Sequence, residues 1–212
     1  MKIDQFWDGK SIAARCNGQL MSEGEIIAKL KERSSEKVKH DGDVPRRKAA
    51  VLVPILCKDG IWQLLFTRRT DYVPHHKGQV SFPGGAQEPE DESLIYTALR
   101  ETCEEIGLHP RDVRIIGQLE PMPSVSNYLI TPVVGRIIKP FHIKMSEYEV
   151  SRVFSIPLEW LSKPENREIR PYRLPDGREL DVIYYKPFDG EILWGATAYM
   201  TVEFLKRLGL TE

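Results

Sequence analysis

Long apolar runs are missing from this sequence: nothing in its 212 residues approaches the roughly 20 residues that cross a bilayer. The N-terminus, with Asp4, Asp8 and no apolar segment after Lys2, lacks the form of a signal peptide, and the terminal Leu-Thr-Glu is not a peroxisomal address. Excess charge of one sign is also missing. With 30 basic and 31 acidic residues the net charge is -1, so there is no global attraction to nucleic acid or anionic lipid, and any polyanion site must be local. Cysteine is scarce. Cys16, Cys57 and Cys103 are odd in number and lack metal-ligand spacing, which suits reduced, buried thiols in a cytoplasmic protein. No internal repeat or low-complexity segment appears.

What is present is the composition of a globular domain with a full core: 41% hydrophobic and 29% charged residues. Residues 1–44 read as an N-terminal arm followed by an amphipathic helix, and residues 45–212 as the main domain. In the arm, Ser22 with Glu25 makes a capping box before Ile26, Ile27 and Leu30, and the helix ends near Arg33. Residues 34–47 are polar and read as a loop. The basic cluster Arg46, Arg47 and Lys48 reads first as a solvated loop and second as a contact for an anionic substrate.

Ala49 to Leu56 is a nearly continuous apolar run, the pattern of a buried strand, and Asp59-Gly60 turns it into a second strand, Trp62 to Arg69. Neighbouring strand residues point to opposite faces, so only one of Arg68 and Arg69 readily faces a given pocket. Strands are also expected at Val113–Leu119, Tyr128–Ile138 and Val150–Ile156. Pro132 within the second of these predicts an edge position or a bulge. A short helix should start at Pro157, a hairpin should turn at Pro175-Asp176-Gly177, and Ala196–Leu208 should be a core-packing helix. His75 and His76 lack partners at metal spacing, so zinc is not expected there.

The most informative stretch is Gly84 to Leu108, GGAQEPEDESLIYTALRETCEEIGL. Two glycines open it and a helical pattern comes next. Residues three and four apart share a helix face, so Glu101, Glu104 and Glu105 crowd their carboxylates together. Two carboxylates roughly 5 Å apart repel by about 3 kcal/mol at an effective dielectric near 20, so a purely structural helix would not be built this way on a buried face. A solvated acidic face is the plain alternative. A hard divalent cation reverses the sign of the repulsion, and Mg²⁺ or Mn²⁺ suits carboxylate oxygens shared with substrate phosphates. Arg100 adjoins the acids, with Asp91 or Glu92 about two helical turns earlier to pair with it.

This stretch resembles the signature of the Nudix hydrolases, in which a glycine and a spaced glutamate precede Arg-Glu-aliphatic-any-Glu-Glu-any-Gly-aliphatic. Arg100, Glu101, Glu104, Glu105, Gly107 and Leu108 match it. Thr102 replaces the aliphatic residue, and the segment from Gly85 to Arg100 is one residue longer than the pattern. Upstream, LLFTRRTDYVPHHKGQVSFPGG resembles the extended motif of the coenzyme A diphosphatase branch, carried by Thr67, Arg69, His76, Gly78, Gln79, Val80 and Phe82, and that branch tolerates the longer spacing.

The resemblance covers residues 48–158 well and 194–208 faintly. It implies a Nudix-type α/β/α sandwich with a mixed β-sheet. It also implies a pyrophosphohydrolase that cleaves coenzyme A or acyl-CoA to 4'-phosphopantetheine and adenosine 3',5'-bisphosphate with Mg²⁺ or Mn²⁺. Glu101, Glu104 and Glu105 would be the metal ligands together with the Gly84 carbonyl, and Arg100 would hold the acids in register. Arg69, which fits the branch motif where Arg68 does not, would contact substrate together with His76, Lys77 and Gly85. Glu101, Glu147 and Glu149 are all open as the base. Two alternatives remain beside this one: a Nudix diphosphatase of ADP-ribose, a dinucleotide or a nucleoside triphosphate, and a non-catalytic nucleotide-sensing module. The expected partner is a small nucleotide-like molecule, with no nucleic acid and no membrane; a homodimer is left open.

Overall fold

The computed structural model describes residues 21–31, 45–73, 76–174 and 177–212. The expected arm at 1–20, the loop at 34–44, and Pro74, His75, Pro175 and Asp176 lie outside these residues. In chain order the elements are α1 (Glu23–Lys31), β1 (Arg47–Lys58), β2 (Ile61–Arg69), β3 (Val80–Ser81), β4 (Gly84–Ala86), α2 (Leu94–Ile106), β5 (Val113–Gln118) and β6 (Met122–Pro123). The chain continues through β7 (Tyr128–Ile137), β8 (Val150–Pro157), α3 (Leu158–Ser162), β9 (Arg167–Arg173), β10 (Glu179–Tyr185) and α4 (Gly195–Leu208).

The sheet is mixed, as expected. β1 pairs in parallel with β7 along Arg47–Ile55, while its other edge is shared by β4 near its start and β2 near its end, both antiparallel. Past Ile55 and Leu64 the β1–β2 hairpin splays, and the segment 80–86 fills the gap, β3 pairing with β2 and β4 with β1. Phe82 fixes this wedge: it is 2% exposed and stacks on Phe66, ring centroids 4.8 Å apart. The glycine turn is therefore strapped into the sheet centre.

Alternation along β1 sends Leu52 and Leu56 to one face, with Ala98 and Ile106 of α2, and sends Val53 and Ile55 to the other, with Phe204, Leu205 and Leu208 of α4 and Ile26 and Leu30 of α1. The result is the α/β/α sandwich, with α2 alone among the described α-helices on the first face and hydrophobic burial on both. A second, two-stranded sheet, β9–β10, is rooted through Tyr185 in the α4-side core. At α1 the capping box is real: the Ser22 amide donates to Glu25 Oε2 at 2.6 Å and the Glu25 amide to Ser22 Oγ at 3.3 Å. α1 packs into the main core, and Glu23 pairs with Arg114 and Arg136 from adjacent strands.

Several expectations need correction. The helix of the acidic stretch starts only at Leu94, because Ser93 caps it and accepts from the Tyr96 amide at 3.1 Å; Asp91 therefore sits in a loop. Arg47 and Lys48 begin β1 and are not loop residues. Pro132 is not at an edge, since β7 is flanked on both sides. Its carbonyl accepts from the Leu119 amide at 3.0 Å, so its nitrogen faces the same flank, where the partner changes from β5 to β6 and no donor is needed. Cys57 is disulfide-bonded, against the reduced-thiol expectation, while Cys103 is free; sequence spacing does not reveal which thiols meet in space. Among the described residues no helix is long and apolar enough to cross a membrane.

Candidate active site

Two glycines of β4 make the floor of the site. Gly84 has φ +152°, and a Cβ there would lie 2.4 Å from the Ala50 carbonyl and 2.5 Å from Val51 Cα, so the close approach of β4 to β1 admits only glycine. Gly85 pairs with Ala50 and faces α2. A Cβ on it would fall 2.5 to 2.7 Å from the Glu101 carboxylate, so the missing side chain is the space that this carboxylate occupies.

Register between α2 and β4 comes from Arg100. Its Nε and Nη2 each donate to Asp91 at 2.9 Å, a bidentate pair, and Nη2 also donates to the Ala86 carbonyl at 3.3 Å. Asp91 further accepts from Thr97 Oγ1 at 2.9 Å and the Glu88 amide at 3.0 Å. Arg100 thus pairs with Asp91 and not Glu92. Hydrogen bonding from Arg100 holds the Asp91 carboxyl well below the usual carboxylate range, against the cost of burial. The remaining Nη1 reaches Glu101 Oε1 at 3.0 Å and Glu104 Oε2 at 3.2 Å. Thr102, the departure from the aliphatic pattern, is fully buried and donates to the Ala98 carbonyl at 2.6 Å, so its hydroxyl is satisfied within the helix.

The acids do not all converge. Among the described residues no three of them already stand as a metal-ligand cluster. Glu104 is turned toward Arg100 and its side chain is 58% exposed. Glu105 is buried, and its Oε2 finds no hydrogen-bond partner among the described residues. Burial pushes the Glu105 carboxyl up to about 8, assisted by the charges of Glu149 and Glu101 and opposed by Arg69 and the Gly84 amide. Glu101 is raised by the same cause, burial first, with Glu104 and Glu149 adding to it and Arg100 opposing it. A buried and a half-buried acid that repel one another, the buried one with an unpartnered oxygen, are stabilised by a hard divalent cation, so the donor set fits such an ion. The contribution of Gly84 visible here is its amide.

Beyond α2, Arg69 lies with Nη1 3.6 Å from Glu105 Oε1, while Arg68 points the other way, to Glu191, also at 3.6 Å. Of the two downstream glutamates, Glu149 is half-buried and its charge bears on Glu101 and Glu105, while Glu147 is exposed. His76 and Lys77 are exposed on the loop after β2, where His76 Nδ1 lies 2.9 Å from Gln79 Oε1. Sequence reasoning had no signal for Thr97, whose role is to hold Asp91, and left Asp91 or Glu92 and Glu147 or Glu149 open, although it chose Arg69 over Arg68.

A family model described as NUDIX domain matches residues 45–176, which contain β4, α2, Arg69 and Glu149. The uncharacterized Nudix hydrolase NudL of Yersinia pestis (strain Pestoides F) is 38% identical over 160 residues, 75% of this chain and 78% of that protein; the NudL of Yersinia pseudotuberculosis serotype O:1b (strain IP 31758) gives the same figures. The crystal structure of a MutT/nudix family protein from Enterococcus faecalis covers 90% of this chain and 76% of its own at 13% identity, with a TM-score of 0.52, a likeness of fold. A shared sheet and helix arrangement, a family model over the acidic helix and relatives at this identity agree: the chain belongs to the Nudix family, as a hydrolase of phosphoric anhydrides.

Proposed function

We propose that this enzyme cleaves the diphosphate of coenzyme A or an acyl-CoA, with Mg²⁺ or Mn²⁺ held by Glu101, Glu104, Glu105 and the Gly84 carbonyl. Water adds to one phosphorus and the bridging oxygen leaves with the other, giving 4'-phosphopantetheine and adenosine 3',5'-bisphosphate. The observation that carries the reaction class is the buried, unpartnered Glu105 Oε2 beside Glu101, whose carboxylate fills the space left by Gly85. When bound, the cation neutralises diphosphate charge and acidifies a water.

The side chains do the rest. Arg100 holds α2 against β4 through Asp91 and the Ala86 carbonyl, so Glu101 and Glu105 stay aimed at the glycine floor. Glu104, exposed and paired with Arg100, would complete the ligand set. Glu149, whose charge acts on both Glu101 and Glu105, takes the proton of the attacking water. Arg69, beside Glu105, would pair with the diphosphate, and the exposed Lys77 and His76 are left for the 3'-phosphate.

Support for the coenzyme A substrate comes from the motif 64–85, which forms β2, the loop after it and the glycine floor in one continuous segment. The test is kcat/KM for coenzyme A, dephospho-CoA, ADP-ribose and NADH with Mg²⁺ or Mn²⁺. Coenzyme A should lead, and dephospho-CoA should fall roughly tenfold to a hundredfold behind it, as one charge-assisted phosphate contact requires. A clear preference for ADP-ribose would move the substrate to another nucleoside diphosphate derivative.

A further inference from the structure

Glu149 stands just outside the regular ladder. β2 and β8 pair in register from Gln63↔Pro157 to Arg68↔Arg152, and then the register slips: Arg69 faces Val150, leaving Ser151 as an extra residue whose hydroxyl donates to the Arg68 carbonyl at 3.1 Å and lies 3.3 Å from that of Arg69. Such a bulge re-aims the neighbouring residues of its strand and ends the regular pairing with β2. One residue beyond, the connection is made by Thr70. Its amide donates to the Glu149 carbonyl at 2.9 Å, its hydroxyl donates to the Tyr148 carbonyl, and the same oxygen accepts the Tyr72 amide at 3.3 Å. Its carbonyl accepts the Gly78 amide at 3.4 Å, so every polar group of a residue that is 5% exposed is engaged.

These bonds join the loop that carries His76 and Lys77 to the turn that carries Glu149. The turn closes on itself, Glu149 and Val150 amides donating to the Ser146 carbonyl, and the Ser146 amide donates to the Glu105 carbonyl at 2.9 Å. Glu149 is thus held from two sides: by Ser146 to the end of α2 and by Thr70 to the end of β2. We propose that Thr70 is a positioning residue, whose hydroxyl fixes the 146–149 turn so that Glu149 is set against Glu101 and Glu105. This rests on the reading that Glu149 serves the site. Thr70 acts through this turn, its own polar groups being already engaged.

The test is a cycle of Thr70→Val, Glu149→Gln and the double variant, with Thr70→Ser as control, assayed on coenzyme A with Mg²⁺ and on ADP-ribose. Valine keeps the shape and removes the hydroxyl; Thr70→Ala makes no steric demand and carries the same test should valine prevent folding. Loss of the hydroxyl should lower kcat by about tenfold to a hundredfold, the cost of a small misplacement, with KM nearly unchanged. Serine should restore most of it. In the Glu149→Gln background, Thr70→Val should cost no more than about twofold further, because the residue it positions is already gone. Multiplied losses in the double variant, failure of serine to rescue, or a change confined to KM would overturn the role of Thr70. Wild-type kcat in Glu149→Gln alone would instead remove Glu149 from the site and with it the reading on which this rests. Activity on ADP-ribose in place of coenzyme A would change the substrate and leave the cycle to be read on ADP-ribose.

Discussion

Replacing Glu105 by glutamine should stabilise the protein in the absence of a divalent cation and abolish its response to one. Glu105 is 3% exposed, its Oε2 has no partner among the described residues, and burial raises the carboxyl to about 8. In the unfolded chain it titrates near 4.5. Between these values the unfolded state has released the proton and the folded state retains it, so stability falls as pH rises, reaching a loss of about 3 kcal/mol at pH 7. Glutamine removes that slope. Arg69 loses its neighbour, but its side chain is 25% exposed and recovers solvent, so a net gain of about 1 to 2 kcal/mol is expected. For a chain of this size that is roughly 2 to 8 °C in Tm. The assay is thermal unfolding from pH 5 to 8 in chelator and again in millimolar Mg²⁺. Wild type should melt lower as pH rises and recover on adding Mg²⁺; Glu105→Gln should show a flatter profile and little recovery. A variant less stable than wild type at pH 8 in chelator would refute the reasoning, since Glu105 would then be a structural asset.

Other perturbations separate the parts of the site. Asp91→Asn breaks the bidentate hold on Arg100 and should cost about 3 kcal/mol or more in urea unfolding at pH 7, a difference that shrinks in strong acid, where the depressed Asp91 carboxyl is finally protonated. Arg100→Lys keeps the charge but cannot reach both Asp91 oxygens and the Ala86 carbonyl, so kcat should drop by about tenfold or more with the fold intact by circular dichroism. Gly85→Ala meets only the mobile end of Glu101 and should fold yet lose Mn²⁺ binding measured by electron paramagnetic resonance, whereas Gly84→Ala meets the backbone of β1 and should fail to fold to a soluble product.

Patterns of hydrophobicity made most of the fold legible, because strand and helix periods are local. β1, β2, the terminal helix and the hairpin turn at Asp59-Gly60 all lie within a few residues of where alternation and turn chemistry put them. The exceptions are long-range. Pro132 reads as an edge or bulge residue until the change of partner from β5 to β6 is seen, and nothing in the spacing of three cysteines tells that Cys57 is bonded. In the site, helix spacing put Glu101, Glu104 and Glu105 within reach of one another, but it could not show that Arg100 turns Glu104 outward while Glu105 is sealed inside. Asp91 over Glu92 was a choice between neighbours, decided by the loop before Ser93 that brings Asp91 onto Arg100, and the bulge at Ser151 beside Glu149 is likewise encoded by no local pattern.

The most direct measurement is product analysis of coenzyme A hydrolysis by wild type and Glu105→Gln, with Mg²⁺ and with chelator, monitored by mass spectrometry. The wild type should yield 4'-phosphopantetheine and adenosine 3',5'-bisphosphate in equal amounts only when the cation is present, and Glu105→Gln should yield neither at a measurable rate. Cleavage that persists in chelator, or a Glu105→Gln variant that forms both products at the wild-type rate, would contradict a cation held by the acids of α2.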